Sequence, residues 1–454
     1  MRQDTIIALA SGAGRAGIAV IRASGNEAAA LLIRLAPGKH PPPRQVVVRE
    51  LRGSDGEFLD EALVLFMPGP GSFTGEDVVE FHVHGGTAII ESVLIAALET
   101  CFCRLATPGE FTRRAFESGR LDLAQAEGVA DLIDAETEGQ RRQAARLYRG
   151  EASRSFEQWR GHLISAMATL EASIDFPDES DVASDIHLRA LIPLRALAQD
   201  LEVALVAASR SQRVREGFSI AIIGPPNAGK SSLMNRLAGR DAAIVSPTAG
   251  TTRDIVEARR VFSGHLAWIA DTAGLRQTDE SVEVEGVRRA RLRAEEADLR
   301  LWVLDGSAIG QRGGWDIEDV SRETLWRPGD LIIVNKIDLA RAYSPGLAIH
   351  KGLFRVSALT GAGLEDLEGA LTQLVVEGLS GDEAPLITRA RHKLLVEDAL
   401  ESMYRAIRGF DDKRGMELVS EDLRLASRAL GRITGAVDVD DLLDRVFADF
   451  CIGK

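Results

Sequence analysis

The feature that most constrains this chain is the loop GPPNAGKS at 224–231, set between an apolar strand-like run at 219–223 and a helix-like run beginning SLMNRLAG. Two glycines followed by Lys-Ser at this spacing make a phosphate loop. Its backbone N–H groups and the helix N-terminus cradle phosphates, Lys230 reaches the β and γ oxygens, and the Ser231 hydroxyl binds Mg²⁺. Asn227, Ala228, Gly229 and Ser232 belong to the same cradle. From 217 to about 381, apolar runs alternate with helical segments, the signature of a parallel sheet covered on both faces.

A phosphate loop alone does not separate ATP from GTP. NKID at 335–338 follows the apolar run 331–334, bringing Asn335, Lys336 and Asp338 to a strand end. The Asp338 carboxylate suits the guanine N1–H and exocyclic amine, donors that adenine does not offer in that arrangement. SAL at 357–359 (Ser357, Ala358, Leu359) follows the short strand 354–356, and the Ala358 N–H is expected at guanine O6. DTAG at 271–274 ends another strand, 266–270. Asp271 is expected behind the Mg²⁺, with Thr272, Ala273 and Gly274 beside the γ-phosphate. GTTRD at 250–254 supplies Thr252 to complete the Mg²⁺ shell. These motifs, in this order, predict a GTP site.

Hydrolysis requires an oriented water and neutralised transition-state charge, often from a Gln after the DTAG-type motif and an arginine finger. Leu275 occupies that position and cannot hold a water. Glu283 is the leading candidate base, with Glu280 and Glu285 as close competitors, and Lys230 acts on the phosphates. The side-chain carbonyl of Asn227 suits a monovalent cation beside the β and γ oxygens, standing in electrostatically for the finger.

A length of 454 residues allows about three domains. Residues 1–118 mix strand-like runs (18–21, 46–51, 62–66, 78–84) with one helical run near 88–99, predicting an α+β domain. Helical periodicity then carries Val129, Leu132 and Ile133, next Leu163, Ile164, Met167, Leu170 and Ile174, and then Leu194, Leu197, Leu201 and Leu205. It resumes after 381 through Leu394, Leu395, Leu400, Met403, Ile407, Leu423, Leu425, Leu430, Leu442, Leu443 and Val446. The predicted architecture is an α+β domain (1–118) and a helical domain in two halves (119–216 and 382–454), with an inserted Ras-like α/β GTPase domain (217–381) between them. The acidic segment 175–185 is expected to be an exposed loop.

No apolar stretch reaches the roughly 18 residues a membrane span needs, and no leader pattern opens the chain, so a cytoplasmic protein is expected. Cys101, Cys103 and Cys451 are too few for a disulfide framework; the first two alternate as strand neighbours and are expected in a core. A formal net charge of −14 argues against a broad basic face, so any RNA contact must be local or shared with a partner. His82 and His84 share a strand face without an evident third ligand, and are read as lining or packing residues.

The GTP-binding region resembles the TrmE-Era-EngA-like potassium-activated GTPases. The resemblance to the MnmE (TrmE) group covers essentially the whole chain, through DTIIALASGAGRAGIAVIRASG, SFTGEDVVEFHVHGG, TPGEFTRRAFESGRLDLAQAEGVADLIDA and the terminal Cys-x-Gly-Lys of FCIGK. It implies K⁺ held by Asn227 with Ser246, Thr248 and Thr251, Ser246 standing where the family commonly has Thr. It also implies a homodimer that binds 5-formyl- or methylene-tetrahydrofolate in the N-terminal domain, through Arg22, Glu80, Arg120 and Lys454. Arg120 stands where the family commonly has Lys. The implied partner is the FAD protein MnmG (GidA), in a heterotetramer or larger complex. The implied reaction adds an aminomethyl-type group, such as carboxymethylaminomethyl, at carbon 5 of the wobble uridine of certain tRNAs. Cys451 is read either as a spare thiol or, with Lys454 nearby to favour the thiolate, as a nucleophile or thiol relay. The rival reading is an Era- or Der-like regulatory GTPase in ribosome assembly, which would lack the pairing of N-terminal motifs with the CIGK tail.

Overall fold

A computed structural model describes residues 4–175, 183–239, 244–245, 256–271, 288, 291–309, 320, 323–339, 352–379, 387–412, 414–437, 440–448 and 450–453. The chain divides into two compact units. One comprises Met1–Ile133, Ala144–Glu202 and Leu394–Lys454; the other comprises Asp134–Gln143 and Val203–Lys393.

In the first unit, strands β1 (Thr5–Leu9), β2 (Ala16–Ser24), β3 (Val46–Arg52), β4 (Phe58–Met67), β5 (Val78–Gly85) and β6 (Cys103–Leu105) form a six-stranded sheet ordered β3-β4-β5-β2-β1-β6. Register decides its two faces. Ile21 lies opposite Phe81, and Phe81 opposite Val64, so the period-2 alternation aligns these apolar side chains under the helices Ala28–Leu35 and Thr87–Glu99. The other face receives the intervening residues, among them the neighbours Arg22 and Glu80. The strand runs and helix expected for this region are all present, extended at their ends.

The helical part of this unit joins segments far apart in sequence. Helix Glu151–Asp175 buries Leu163 and Leu170 and packs along Met416–Thr434, which buries Val419, Leu423, Ala426 and Leu430. The Thr434 hydroxyl donates to Glu157 Oε1 at 2.8 Å across this pair. Helix Asp440–Ala448 closes on Leu123–Asp134 through Leu443, Phe447, Leu123 and Ala126. Four residues expected in the stripes, Ile133, Ile164, Leu394 and Leu425, are exposed instead. The last three each lie a step or two along the helix from the buried stripe, and each step turns a side chain about 100° away from the core; Ile133 lies past the buried run Leu123–Gly128 of its helix. Cys101 is also corrected: it is exposed in a turn at φ 59°, whereas Cys103 opens β6, packs against the core and has its thiol pushed up to about 11 by burial. Of the acidic segment, 183–185 open the helix Ala183–Glu216 and 176–182 lie outside the described residues.

The second unit holds β7 (Phe218–Ile223), β8 (Ile244–Val245), β9 (Val256–Phe262), β10 (His265–Asp271), β11 (Leu299–Asp305), β12 (Leu331–Asn335) and β13 (Leu353–Arg355), ordered β13-β12-β11-β7-β10-β9-β8. The strands from β13 to β10 are parallel; β9 and β8 are antiparallel additions, which corrects the expectation of a wholly parallel sheet. The cause is local. Ser263 and Gly264 both take positive φ (47° and 82°), and a two-residue turn of that kind folds β9 straight back onto β10. Helices Lys230–Ala238 and Leu364–Leu379 cover one face through Leu233, Leu237, Leu367 and Leu371, while Trp302, Leu304 and Ile223 build a second core on the other. No described helix is long and apolar enough to cross a membrane.

Candidate functional site

The candidate nucleotide residues gather at the C-terminal edge of the parallel strands, where α/β sheets place their ligands. β7 runs into the phosphate loop, β10 ends at Asp271, β11 at Asp305 and β12 at Asn335. The loop is shaped by glycines that tolerate no side chain. A Cβ on Gly224 would stand 2.2 Å from the Val303 carbonyl oxygen, and one on Gly229 2.3 Å from Asn335 Nδ2, with φ at 149° and 88°. Gly229 then starts the helix Lys230–Ala238, whose first N–H groups are left for an anion.

Asn335 ties the end of β12 to the loop. Its Nδ2 donates to the Ala228 carbonyl at 2.9 Å, and its Oδ1 accepts the Ala358 N–H at 3.0 Å. That amide, expected at guanine O6, is thus engaged within the protein. Ser357 Oγ donates to Asp338 Oδ1 at 2.5 Å, fixing the carboxylate, and Arg236 holds the carbonyls of Ala358 (2.9 Å) and Leu359 (2.7 Å). Between them lies a cleft of about 520 Å³ lined by Gly229, Ser232, Lys336, Asp338, Ala358 and Leu359, among others. Lys336 Nζ donates to the Asn227 carbonyl at 2.5 Å and to Asp305 Oδ2 at 2.7 Å.

At the phosphate end, Lys230 Nζ donates to the carbonyls of Gly224 and Pro225, each at 3.0 Å. Burial pushes this ammonium below its ordinary pKa, with Asp271 opposing. Ser231 Oγ donates to Asp271 Oδ2, while Asp271 Oδ1 is buried with no hydrogen-bond partner among the described residues. A hydroxyl beside a buried carboxylate oxygen in need of a partner is an oxygen donor set suited to Mg²⁺.

The N-terminal polar residues form their own cluster. Arg22 donates to Glu80 Oε1 from Nε at 2.9 Å and from Nη2 at 2.8 Å, and its guanidinium lies 5.8 Å from the Phe73 ring and 5.9 Å from the Phe111 ring. Burial opposes ionisation of Glu80, but the Arg22 charge and a hydrogen bond from His82 outweigh it and hold the carboxyl below its ordinary value. His82 pairs with Glu80 at 3.1 Å and His84 with Asp60 at 2.8 Å, and no metal-ligand cluster occurs among the described residues. The chain's end arrives beside this cluster. Gly109 N–H donates to the Cys451 carbonyl at 3.4 Å, Pro108 bridges Ile452, and a Cβ on Gly453 would stand 2.0 Å from the Leu9 carbonyl, one residue from the Ala8 that faces Arg22. Arg120 and Cys451 are exposed.

The family model for the MnmE helical domain matches residues 123–451, and that for the GTP-binding protein TrmE N-terminus matches 5–120. The tRNA modification GTPase MnmE of Phenylobacterium zucineum is 51% identical, over 99% of this chain and 100% of its own length. This chain belongs to the MnmE family. The Caulobacter vibrioides protein of the same name is 50% identical over 99% and 100% of the two lengths, and that of Rhodopseudomonas palustris 46% over 100% and 99%.

The MnmE-type motifs are thus placed unevenly. Ser246, Thr248, Thr251, Thr252, Thr272, Ala273, Gly274, Leu275, Glu280, Glu283, Glu285 and Lys454 lie outside the described residues. Sequence reasoning missed Arg236, Asn235 and Leu339 in the cleft, and Asp305 behind Lys336. Arg236 carries no motif. Asp305 did leave a signal, as an acidic residue closing a parallel strand at the sheet's ligand edge.

Proposed function

We propose that this chain is a GTP-hydrolysing enzyme that, with the FAD protein MnmG, adds an aminomethyl or carboxymethylaminomethyl group at carbon 5 of the wobble uridine of certain tRNAs. The observation that carries the nucleotide part is one cleft in which Asp338, oriented by Ser357, faces the residues that lock the phosphate loop. Full-length likeness to proteins named tRNA modification GTPase supports the rest.

In this reading, Asp338 accepts the guanine N1–H and amine, the Gly229 to Ser232 amides and Lys230 grip the phosphates, and Glu283 orients water toward the γ-phosphorus. The water's oxygen bonds to phosphorus as the bond to the β–γ bridging oxygen breaks, giving GDP and phosphate. Held by Ser231 and Thr252 with Asp271 behind, Mg²⁺ supplies charge neutralisation on the phosphates. K⁺ at Asn227, Ser246, Thr248 and Thr251 supplies the charge an arginine finger would bring. In the N-terminal domain, Arg22 and Glu80 form a guanidinium–carboxylate edge suited to the pterin of a formyl- or methylene-tetrahydrofolate, with Arg120 and Lys454 contributing cations. Cys451 acts beside these residues as nucleophile or thiol relay. The working form is a homodimer that joins MnmG and tRNA in the cytoplasm, with domains at 1–118, 119–216, 217–381 and 382–454.

Mass analysis of tRNA from cells lacking this protein tests the proposal: the wobble uridine is expected to lose its substituent. An unaltered wobble uridine overturns the modification reading and leaves only the GTPase.

A further inference from the structure

Lys336 and Asn227 are joined by a contact that neither residue is built to keep unaided. Both take a left-handed backbone, each at φ 63°, a conformation that asparagine adopts readily but that is uncommon for a lysine. The Lys336 stem is long and flexible, and its ammonium is strongly hydrated when left to solvent. The ammonium nevertheless meets the Asn227 carbonyl at 2.5 Å, and what stands behind it is Asp305 at 2.7 Å. That carboxylate is itself aimed: Oδ1 accepts the Ser307 N–H at 2.9 Å and the Ser307 hydroxyl at 2.6 Å, leaving Oδ2 for the lysine. The strand ends are close enough for this to work, since Gly306 N–H donates to the Asn335 carbonyl at 2.7 Å. With Asn335 holding the Ala228 carbonyl, two successive carbonyls of the phosphate loop are pinned to the end of β12. Across a trans peptide the N–H points opposite its carbonyl, so pinning the Ala228 carbonyl turns the Gly229 amide away from β12.

We propose that Asp305 is a positioning residue of the nucleotide site: through Lys336 it clamps Asn227, coupling recognition of the base to the shape of the phosphate loop. The proposal rests on the GTP-binding reading and deepens it. Lys336 lines the base cleft while its tip holds the loop, so the two halves of the nucleotide are gripped by one side chain whose direction Asp305 sets. Losing that charge frees the lysine and lets the loop relax.

The test is the release rate of a fluorescent GDP analogue from the full chain. Asp305→Asn keeps the shape and the acceptor for Ser307 but loses the charge, and is expected to speed release roughly tenfold, the effect of one charge-assisted hydrogen bond. Ser307→Ala, which keeps the charge, is expected to speed it only about twofold. A Lys336→Met variant separates positioning from a merely structural role: adding Asp305→Asn to it should cause no further acceleration, because the two act as a unit. Melting of the nucleotide-free protein should not move. Unchanged release in Asp305→Asn, or additive effects in the double variant, overturns the proposal. A wild-type chain that retains no GDP overturns the GTP-binding reading beneath it instead.

Discussion

In the proposed function, the single carboxylate of Asp338 sets the choice of base. Its oxygen is already spoken for on one side by Ser357 at 2.5 Å, so the remaining lone pairs point in fixed directions into the cleft. Asp338→Asn replaces an acceptor with a donor there. We expect GTP affinity to fall about a hundredfold and xanthosine triphosphate to bind better than GTP, because its extra carbonyl matches the new amide; competition binding with the two nucleotides checks this. Asn227 carries a second prediction at this scale. Replacing Na⁺ by K⁺ should raise the GTPase rate by on the order of tenfold or more, and Asn227→Ala should remove most of that gain. Equal rates in the two salts would remove the cation from the mechanism. Both proposed roles come from the sequence, because the chemistry of guanine and phosphate suits those residue types in the loops that follow those strands. Arg236 was not, since a guanidinium that braces the carbonyls of Ala358 and Leu359 follows no spacing rule of its own.

Secondary-structure elements here are positioned by a few buried polar ties as well as by apolar stripes. Arg300, on β11, is almost wholly buried: its Nε reaches both oxygens of Asp330 at 2.9 Å, and its Nη1 takes the carbonyls of Ala294 (3.2 Å) and Ala297 (3.0 Å). Trp302 Nε1 donates to the same carboxylate at 3.3 Å. This one guanidinium therefore joins the approach to β11, the strand itself and the turn before β12. Arg300→Met would leave the Asp330 charge buried without its countercharge, and should destabilise the second unit by about 3–5 kcal/mol. A urea titration reads this, and a double variant with Asp330→Leu should recover much of the loss. The apolar runs announced these strands well. Their directions were harder to read, because β9 and β10 look like any two strands until the Ser263–Gly264 turn, with positive φ at both positions, makes their pairing antiparallel.

At the scale of the whole molecule, the first unit depends on carboxylates that stay ionised. Burial works against ionisation of Glu110, but Arg104, the Thr107 N–H and Arg114 all donate to it, lowering its carboxyl from 4.5 to about 2. A group whose folded value lies below its unfolded one adds stability above the unfolded value and loses it as pH falls through the folded one. Thermal melts should therefore show constant support from this site above about pH 4.5, declining as pH drops toward about 2. Glu110→Gln should flatten that decline and lower stability near neutrality. Stability that rose on acidification would contradict the assignment.

Residue order alone determined the α/β architecture around the phosphate loop, the NKID motif at the end of β12, the strands of the N-terminal sheet and the helical stripes on either side. Those signals are local: a loop's chemistry, a strand's alternation and a helix's period are all written within a few consecutive residues. What tertiary structure decided is what meets across sequence. It set Asp305 behind Lys336, and Lys336 against Asn227, more than a hundred residues earlier in the chain. It seated the terminal Cys451–Gly453 segment beside the strand that faces Arg22, and packed helix Met416–Thr434 along Glu151–Asp175. Such contacts depend on strand order, register and helix packing, which are set by the folded chain as a whole and leave no periodic mark in the sequence that makes them.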